Sequence, residues 1–212
     1  MKARAKATLD ALTRAIPDPK CELDHRGPFE LLIAVILSAQ TTDKGVNLVT
    51  PTLFARYPDA AALAAAALPD VEAIIKRTGF FRMKAKHIVA AAAMLVKKHG
   101  GEVPADEAAL TALPGVARKT ANVVLGTAFG VANGITVDTH AARVSRRLGL
   151  TRQTDPLKIE RDLLALFPQD TWIAMSHRLV LHGRYTCTAR SPRCAACACA
   201  TFCPSRAKLD NA

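Results

Sequence analysis

Aromatic side chains are scarce in this chain, 5% of its residues with a single tryptophan. β-Branched runs are short, and no stretch alternates apolar and polar residues in the period-two rhythm of a half-buried strand. With alanine abundant, these absences exclude a sheet architecture and leave helix as the building material. Long hydrophobic runs are missing too. The most apolar window, Phe29 to Leu37, is too short to cross a bilayer and lies between Pro28 and the largely polar segment Ser38 to Asp43, so it reads as a buried helix. The first sixteen residues mix charge and alanine in helical fashion, without a secretory h-region, and no lipidation signal, low-complexity linker or long-period repeat follows. Acidic residues are in deficit: 18 Asp and Glu stand against 29 Lys and Arg, for a net charge of +11 and a pI of about 9.7. That balance points to a polyanion, and in the absence of a membrane signal to nucleic acid. From His140 onward twelve Lys/Arg face five Asp/Glu, so the excess is concentrated toward the C-terminus.

Half the residues are hydrophobic, ample for one or two cores in 212 residues. Helical periodicity predicts helices over Lys2 to Ile16, Pro28 to Leu37, Asp43 to Tyr57 with a disturbance at Pro51, Asp59 to Ala67, Asp70 to Thr78 and Lys84 to His99. It continues over Asp106 to Leu113, Ala117 to Phe129, Thr139 to Leu148, Pro156 to Phe167 and Thr171 to His182. Asp43, Asp59, Asp70, Asp106, Asp138 and Asp155 stand where a carboxylate caps free N–H groups, and Gly79, Gly100-Gly101, Gly130 and Gly149 supply stops. The expectation is an all-α globule with a metal-bound tail.

That tail carries Cys187, Cys194, Cys197 and Cys203, spaced C-x6-C-x2-C-x5-C. Core packing does not explain four thiols so close together. A disulfide framework suits a short exported chain, not this one, whose thiols and lack of an export signal fit the cytosol. Metal ligation is the better reading. Structural zinc usually takes two short Cys-x2–4-Cys knuckles and this run has one, so the wide gaps favour an iron–sulfur cubane over a single ion. Cys199 is able to substitute for Cys197 or Cys203 but is expected to stay free, and Cys21 and Cys199 show no pairing pattern.

Between two predicted helices lies Leu113-Pro114-Gly115-Val116-Ala117-Arg118-Lys119-Thr120-Ala121-Asn122. A Pro-Gly turn by itself is only a turn. Followed by a helix that opens on Arg118 and Lys119, in a basic chain, it becomes a helix-hairpin-helix whose free N–H groups grip a DNA backbone without reading sequence.

Leu113 to Leu125 (LPGVARKTANVVL), Val137-Asp138-Thr139-His140, the cysteine tail, Phe29 to Asp43 (FELLIAVILSAQTTD) and Leu181 to Thr188 (LHGRYTCT) together resemble the endonuclease III family of DNA glycosylases, across nearly the whole chain. The resemblance implies two helical lobes flanking a DNA-binding cleft. One, residues 21–132, is a six-helix barrel holding the hairpin at about 106–129; the other, residues 1–20 with 133–212, holds a [4Fe-4S] cluster on Cys187, Cys194, Cys197 and Cys203. It implies Lys119 as nucleophile and Asp138 as its acidic partner. The chemistry is sound, because a primary amine attacks an anomeric carbon and leaves a Schiff base, whereas the guanidinium of Arg118 stays protonated. The helix terminus, Arg118 and partial desolvation are expected to favour the neutral amine. Read blandly, Lys119 binds phosphate and Asp138 caps a helix. Gln40 corresponds to the residue that fills the vacated base stack and Phe80 to the wedge, with Phe81 its rival. Gly115, Ala117, Arg118, His140, Arg184 and Arg190 are the further expected DNA contacts, and Ser38 and Asp43 are expected to serve as local capping or pocket residues.

Three departures stand out: Ala117 in place of a second hairpin glycine, where a methyl group is expected to hinder a positive φ or close phosphate approach; Phe80 in place of leucine; and a Val131-Ala132-Asn133-Gly134 loop one residue long. The expected function is base excision repair by a monomeric, bifunctional N-glycosylase and abasic-site lyase. It removes oxidised pyrimidines from double-stranded DNA, in the cytoplasm and on the nucleoid. The competing readings are a mismatch glycosylase, disfavoured by Lys119, and a non-catalytic DNA-binding protein with the cluster as scaffold or redox sensor.

Overall fold

A computed structural model describes residues 1–209; residues 210–212, the end of the expected cluster-bearing segment, lie outside them. The described residues form helices and connecting turns and no strand. In order the helices are α1 (Lys2–Ala15), α2 (Pro28–Leu37), α3 (Asp43–Asn47), α4 (Thr50–Arg56), α5 (Ala60–Ala64), α6 (Leu68–Ile75), α7 (Phe81–His99), α8 (Glu107–Thr111), α9 (Arg118–Phe129), α10 (Thr139–Arg147), α11 (Pro156–Leu166), α12 (Trp172–Tyr185) and α13 (Arg206–Leu209), with 3-10 turns at Gln169–Thr171 and Cys194–Ala196. Two compact units result, one spanning Cys21–Val131 and the other joining Met1–Lys20 to the chain from Ala132 onward.

In the Cys21–Val131 unit, α2 is the hub. Every residue from Glu30 to Leu37 is buried, as the unbroken apolar run Leu31 to Leu37 requires, and the helix packs against α7 and α9. Its N-terminus is closed by Glu30, which accepts hydrogen bonds from the Arg26 N–H and Nε, both at 2.8 Å. The predicted helix from Asp43 to Tyr57 is two helices, α3 and α4. Pro51 has no N–H to continue the first, and instead takes a place in the opening turn of α4, where that loss costs nothing.

Four of the six predicted aspartate caps are made: Asp59, Asp106, Asp138 and Asp155 accept the N–H of Ala62 (2.8 Å), Ala109 (2.8 Å), Ala141 (2.7 Å) and Lys158 (3.0 Å). The other two are corrected. Thr42, one residue before Asp43, caps α3 through its hydroxyl to the Gly45 N–H at 3.1 Å. Asp70 lies inside the first turn of α6, which starts earlier because Pro69 is at its beginning, and it pairs with Arg56. Gly100 and Gly130 end α7 and α9 in the left-handed conformation expected of them. Gly79 does not have that conformation; Phe80 does, and α7 starts at Phe81 rather than Lys84.

The second unit has its own core, built on Leu12, Val144, Leu163 and Leu179 from α1, α10, α11 and α12. Arg178 on α12 donates from Nε to the Ile16 carbonyl at 3.0 Å, tying the N-terminal helix to the C-terminal segment. α10 packs along α12, which fixes the end of α10 that carries Asp138.

Candidate nucleic-acid interface and metal centre

The hairpin links α8 to α9. Leu113 and Val116 are buried and anchor the turn, and Gly115 between them has φ +79. A Cβ there would lie 2.9 Å from Cβ of His87 on α7, so both conformation and space demand glycine. Ala117 is a different matter. Its φ and ψ are −88° and 167°, extended backbone that any residue adopts, so the conformational objection to alanine disappears. As N-cap of α9 it offers no side-chain acceptor, and the first turn contains no acid. The opening N–H groups of α9 therefore form a site suited to an anion. Lys119, second residue of that helix, is exposed, so the free chain does not supply the desolvation expected there. Arg118 is 3.4 Å from the Glu107 carboxylate, which offsets its charge beside Lys119.

Gln40 and Phe80 are the non-glycine residues with positive φ among the described residues, 52° and 57°. Both are exposed, Phe80 at 68%, whereas Phe81 packs against the core. They belong to neighbouring segments: a Cβ on Gly79 would lie 3.5 Å from the Gln40 carbonyl oxygen. Ser38 ends α2 with its hydroxyl donating to the Val35 carbonyl at 2.8 Å, a capping role, and Asp43 opens α3. Sequence reasoning missed Lys84, which is 4% exposed and donates from Nζ to the Thr41 hydroxyl at 2.7 Å. Burial lowers its pKa.

In the other unit, Asp138 is half-buried at the start of α10, its Oδ1 engaged with the Ala141 N–H. His140 is half-buried, its Cβ close enough to Gly183 to exclude any side chain there, and its Nδ1 is 3.2 Å from Nη2 of Arg143. A guanidinium only donates, so Nδ1 accepts and the ring proton is assigned to Nε2. Arg143 and Arg147, one turn apart on α10, hold the cysteine loop. Arg143 donates to the carbonyls of Cys187 (3.1 Å) and Gly183 (2.7 Å), and Arg147 to those of Thr188 (2.6 Å) and Ala189 (2.9 Å) and to Cys187 Sγ (3.4 Å). Arg184 is half-buried and Arg190 exposed near that loop. Two arginines at i and i+4 were the sequence signal for these struts, but charge alone does not distinguish a strut from a DNA contact.

Cys187, Cys194, Cys197 and Cys203 line one pocket, together with His182, Arg193 and Arg206. Cys199 is not on its wall. It is fully buried in the core, its thiol donates to Cys197, and its N–H lies 3.4 Å from Cys197 Sγ. That thiol hydrogen bond, together with His182 and the Cys199 N–H, outweighs burial and holds the Cys197 pKa down to about 4; the same bond and burial push Cys199 up. His182 Nε2 is 3.6 Å from Cys197 Sγ, and the ligand atoms of His182, Cys197 and Cys199 lie within 4.8 Å of one another, a second grouping the sequence did not reveal. The donor set is consistent with a metal centre. No helix of the described residues is long and apolar enough to cross a membrane.

Comparison with known proteins matches residues 33–169 to the HhH-GPD superfamily of base excision DNA repair proteins. The endonuclease III of Synechocystis sp. is 53% identical over 204 residues, covering 96% of this chain and 93% of the relative. A solved non-covalent endonuclease III–DNA complex superposes with a TM-score of 0.95 at 45% identity, covering 100% and 99% of the two chains. A trapped covalent endonuclease III–DNA intermediate, an estranged-adenine complex, gives 0.93 at 45% identity, covering 98% of each.

Proposed function

Since this chain belongs to the endonuclease III family of HhH-GPD base excision DNA repair proteins, we propose its function from that premise and assign its chemistry residue by residue. It is a bifunctional DNA N-glycosylase and abasic-site lyase that removes oxidised pyrimidines from duplex DNA. Lys119 is the nucleophile. Its neutral Nζ attacks C1′ of the damaged nucleotide, the bond from C1′ to the base breaks, and the base departs with the bonding electrons and a proton. Ring opening leaves a Schiff base between Nζ and C1′; loss of a C2′ proton then expels the 3′ phosphate by β-elimination. Asp138 deprotonates the amine or stabilises positive charge developing on the sugar, with the carboxylate capacity that the Ala141 N–H leaves open. The single observation that carries the assignment is the lysine in the opening turn of α9, immediately after a hairpin whose helix terminus has no side-chain cap and no acid in its first turn.

Exposure and orientation support the remaining roles: Gln40 to fill the vacated stack, Phe80 to wedge the opposite strand, and Gly115, Ala117 and Arg118 to receive the backbone. His140, Arg184 and Arg190 supply further phosphate contacts. The four pocket-lining thiols would hold a [4Fe-4S] cluster, which supplies a covalent staple for the basic loop from Thr188 to Arg193 and not a Lewis acid. The positive charge and the family support a location on chromosomal DNA, the nucleoid of the cytoplasm, as part of this reading.

Borohydride reduction in the presence of thymine glycol or abasic-site duplex tests the assignment. The wild-type chain is expected to form a covalent adduct and Lys119→Ala none. An adduct with Lys119→Ala, or none with the wild type, overturns it.

A further inference from the structure

A buried ammonium without a carboxylate is expensive, and Lys84 is one. It is 4% exposed and, among the described residues, makes no ion pair and has one side-chain partner, the neutral Thr41 hydroxyl. An apolar side chain of similar length would pack there without that cost, so fold stability does not explain the residue. Its neighbours do. Thr41 directly follows Gln40, and the Lys84 N–H donates to the Phe80 carbonyl at 3.1 Å. Lys84 thus bonds on one side to a residue adjoining one left-handed position and on the other to the second left-handed position itself. Strained non-glycine residues persist only where their surroundings over-determine them. Thr41 has a second constraint, its N–H on the Ser38 carbonyl at 3.1 Å, and its hydroxyl lies 4.0 Å from the Cβ position of Gly79. The Lys84–Thr41 bond closes this arrangement.

We infer that Lys84 is a positioning residue. It holds the Gln40 segment against the turn before α7, so that Gln40 and Phe80 enter a DNA stack as one preformed unit. The inference rests on the stack-filling and wedging roles proposed above. In the free state the pair is already assembled, so binding does not have to order two loops separately, and extruding a base-paired lesion is the step that profits. A lesion that needs no extrusion gains little from Lys84.

The test compares two substrates under single-turnover conditions, a dihydrouracil paired in duplex DNA and an abasic site in single-stranded DNA. Lys84→Met keeps length and removes the ammonium; Thr41→Val keeps the lysine and removes its acceptor. Each variant is expected to excise the paired base about tenfold more slowly, with borohydride trapping on the single-stranded abasic site changed less than about twofold. A 2-aminopurine opposite the lesion should show a correspondingly slower fluorescence rise. The double variant should be no worse than either single one, because both break the same bond. Wild-type rates on both substrates, or equal losses on both, overturn the inference. If Lys84→Met fails to fold, Thr41→Val decides alone. Failure of the wild-type chain to trap DNA counts against the proposed function instead, so the two failures are distinguishable.

Discussion

Asparagine at position 138 separates the two duties of the aspartate found there. As an N-cap it is as good as aspartate, so the bond to the Ala141 N–H and the start of α10 survive, while the capacity to accept a proton is lost. Asp138→Asn is therefore expected to keep the melting temperature and lesion affinity and to slow single-turnover excision by about 10²-fold or more, the scale of a general base or charge-stabilising carboxylate. Equal losses of rate and affinity would reduce the residue to a cap. This position was legible in the sequence because capping and the family motif both pointed to it. Lys84 was not, since nothing in a helical lysine's surroundings in sequence reveals that its ammonium turns inward to a threonine 43 positions away. The same limit hid His182, whose approach to Cys197 depends on how the tail folds back over α12.

At the scale of elements, the chain announced its helices well and their starts less well. Asp59, Asp106, Asp138 and Asp155 cap because each stands one residue before its helix, whereas Thr42 takes the cap ahead of Asp43 and α6 opens at Leu68, two residues before Asp70. The N-terminus of α2 uses another device, the buried Glu30 carboxylate folded back on Arg26. Burial pushes its pKa up, and the hydrogen bonds and charge of Arg26 outweigh that and leave it below its ordinary value. Its stabilisation is hence complete above the unfolded carboxylate pKa of about 4.3 and disappears as pH falls through the lower folded value. Glu30→Gln should lower the melting temperature at pH 7 by about 2–4 °C. In acid the two proteins should converge, and a difference that persists unchanged below about pH 3 would assign the effect to packing instead.

Across the whole molecule, each unit has a separate core, and only one contains the cysteine pocket. Stripping the metal centre should destabilise the unit made from both chain ends and leave the Cys21–Val131 unit close to its original stability. Calorimetry should show one transition moving down, and a uniform shift of the whole trace would contradict that division. Fully loaded protein is expected to contain iron and sulfide and a visible absorption band, whereas stoichiometric zinc after anaerobic, iron-replete preparation would replace the cluster and leave the lysine chemistry standing. The left-handed Gln40 and Phe80 have a consequence for anyone selecting variants of this enzyme. Glycine relieves the strain at either position, so a library sorted by heat resistance alone would tend to retain it there and discard the two side chains offered to DNA. Heat would then be choosing against repair.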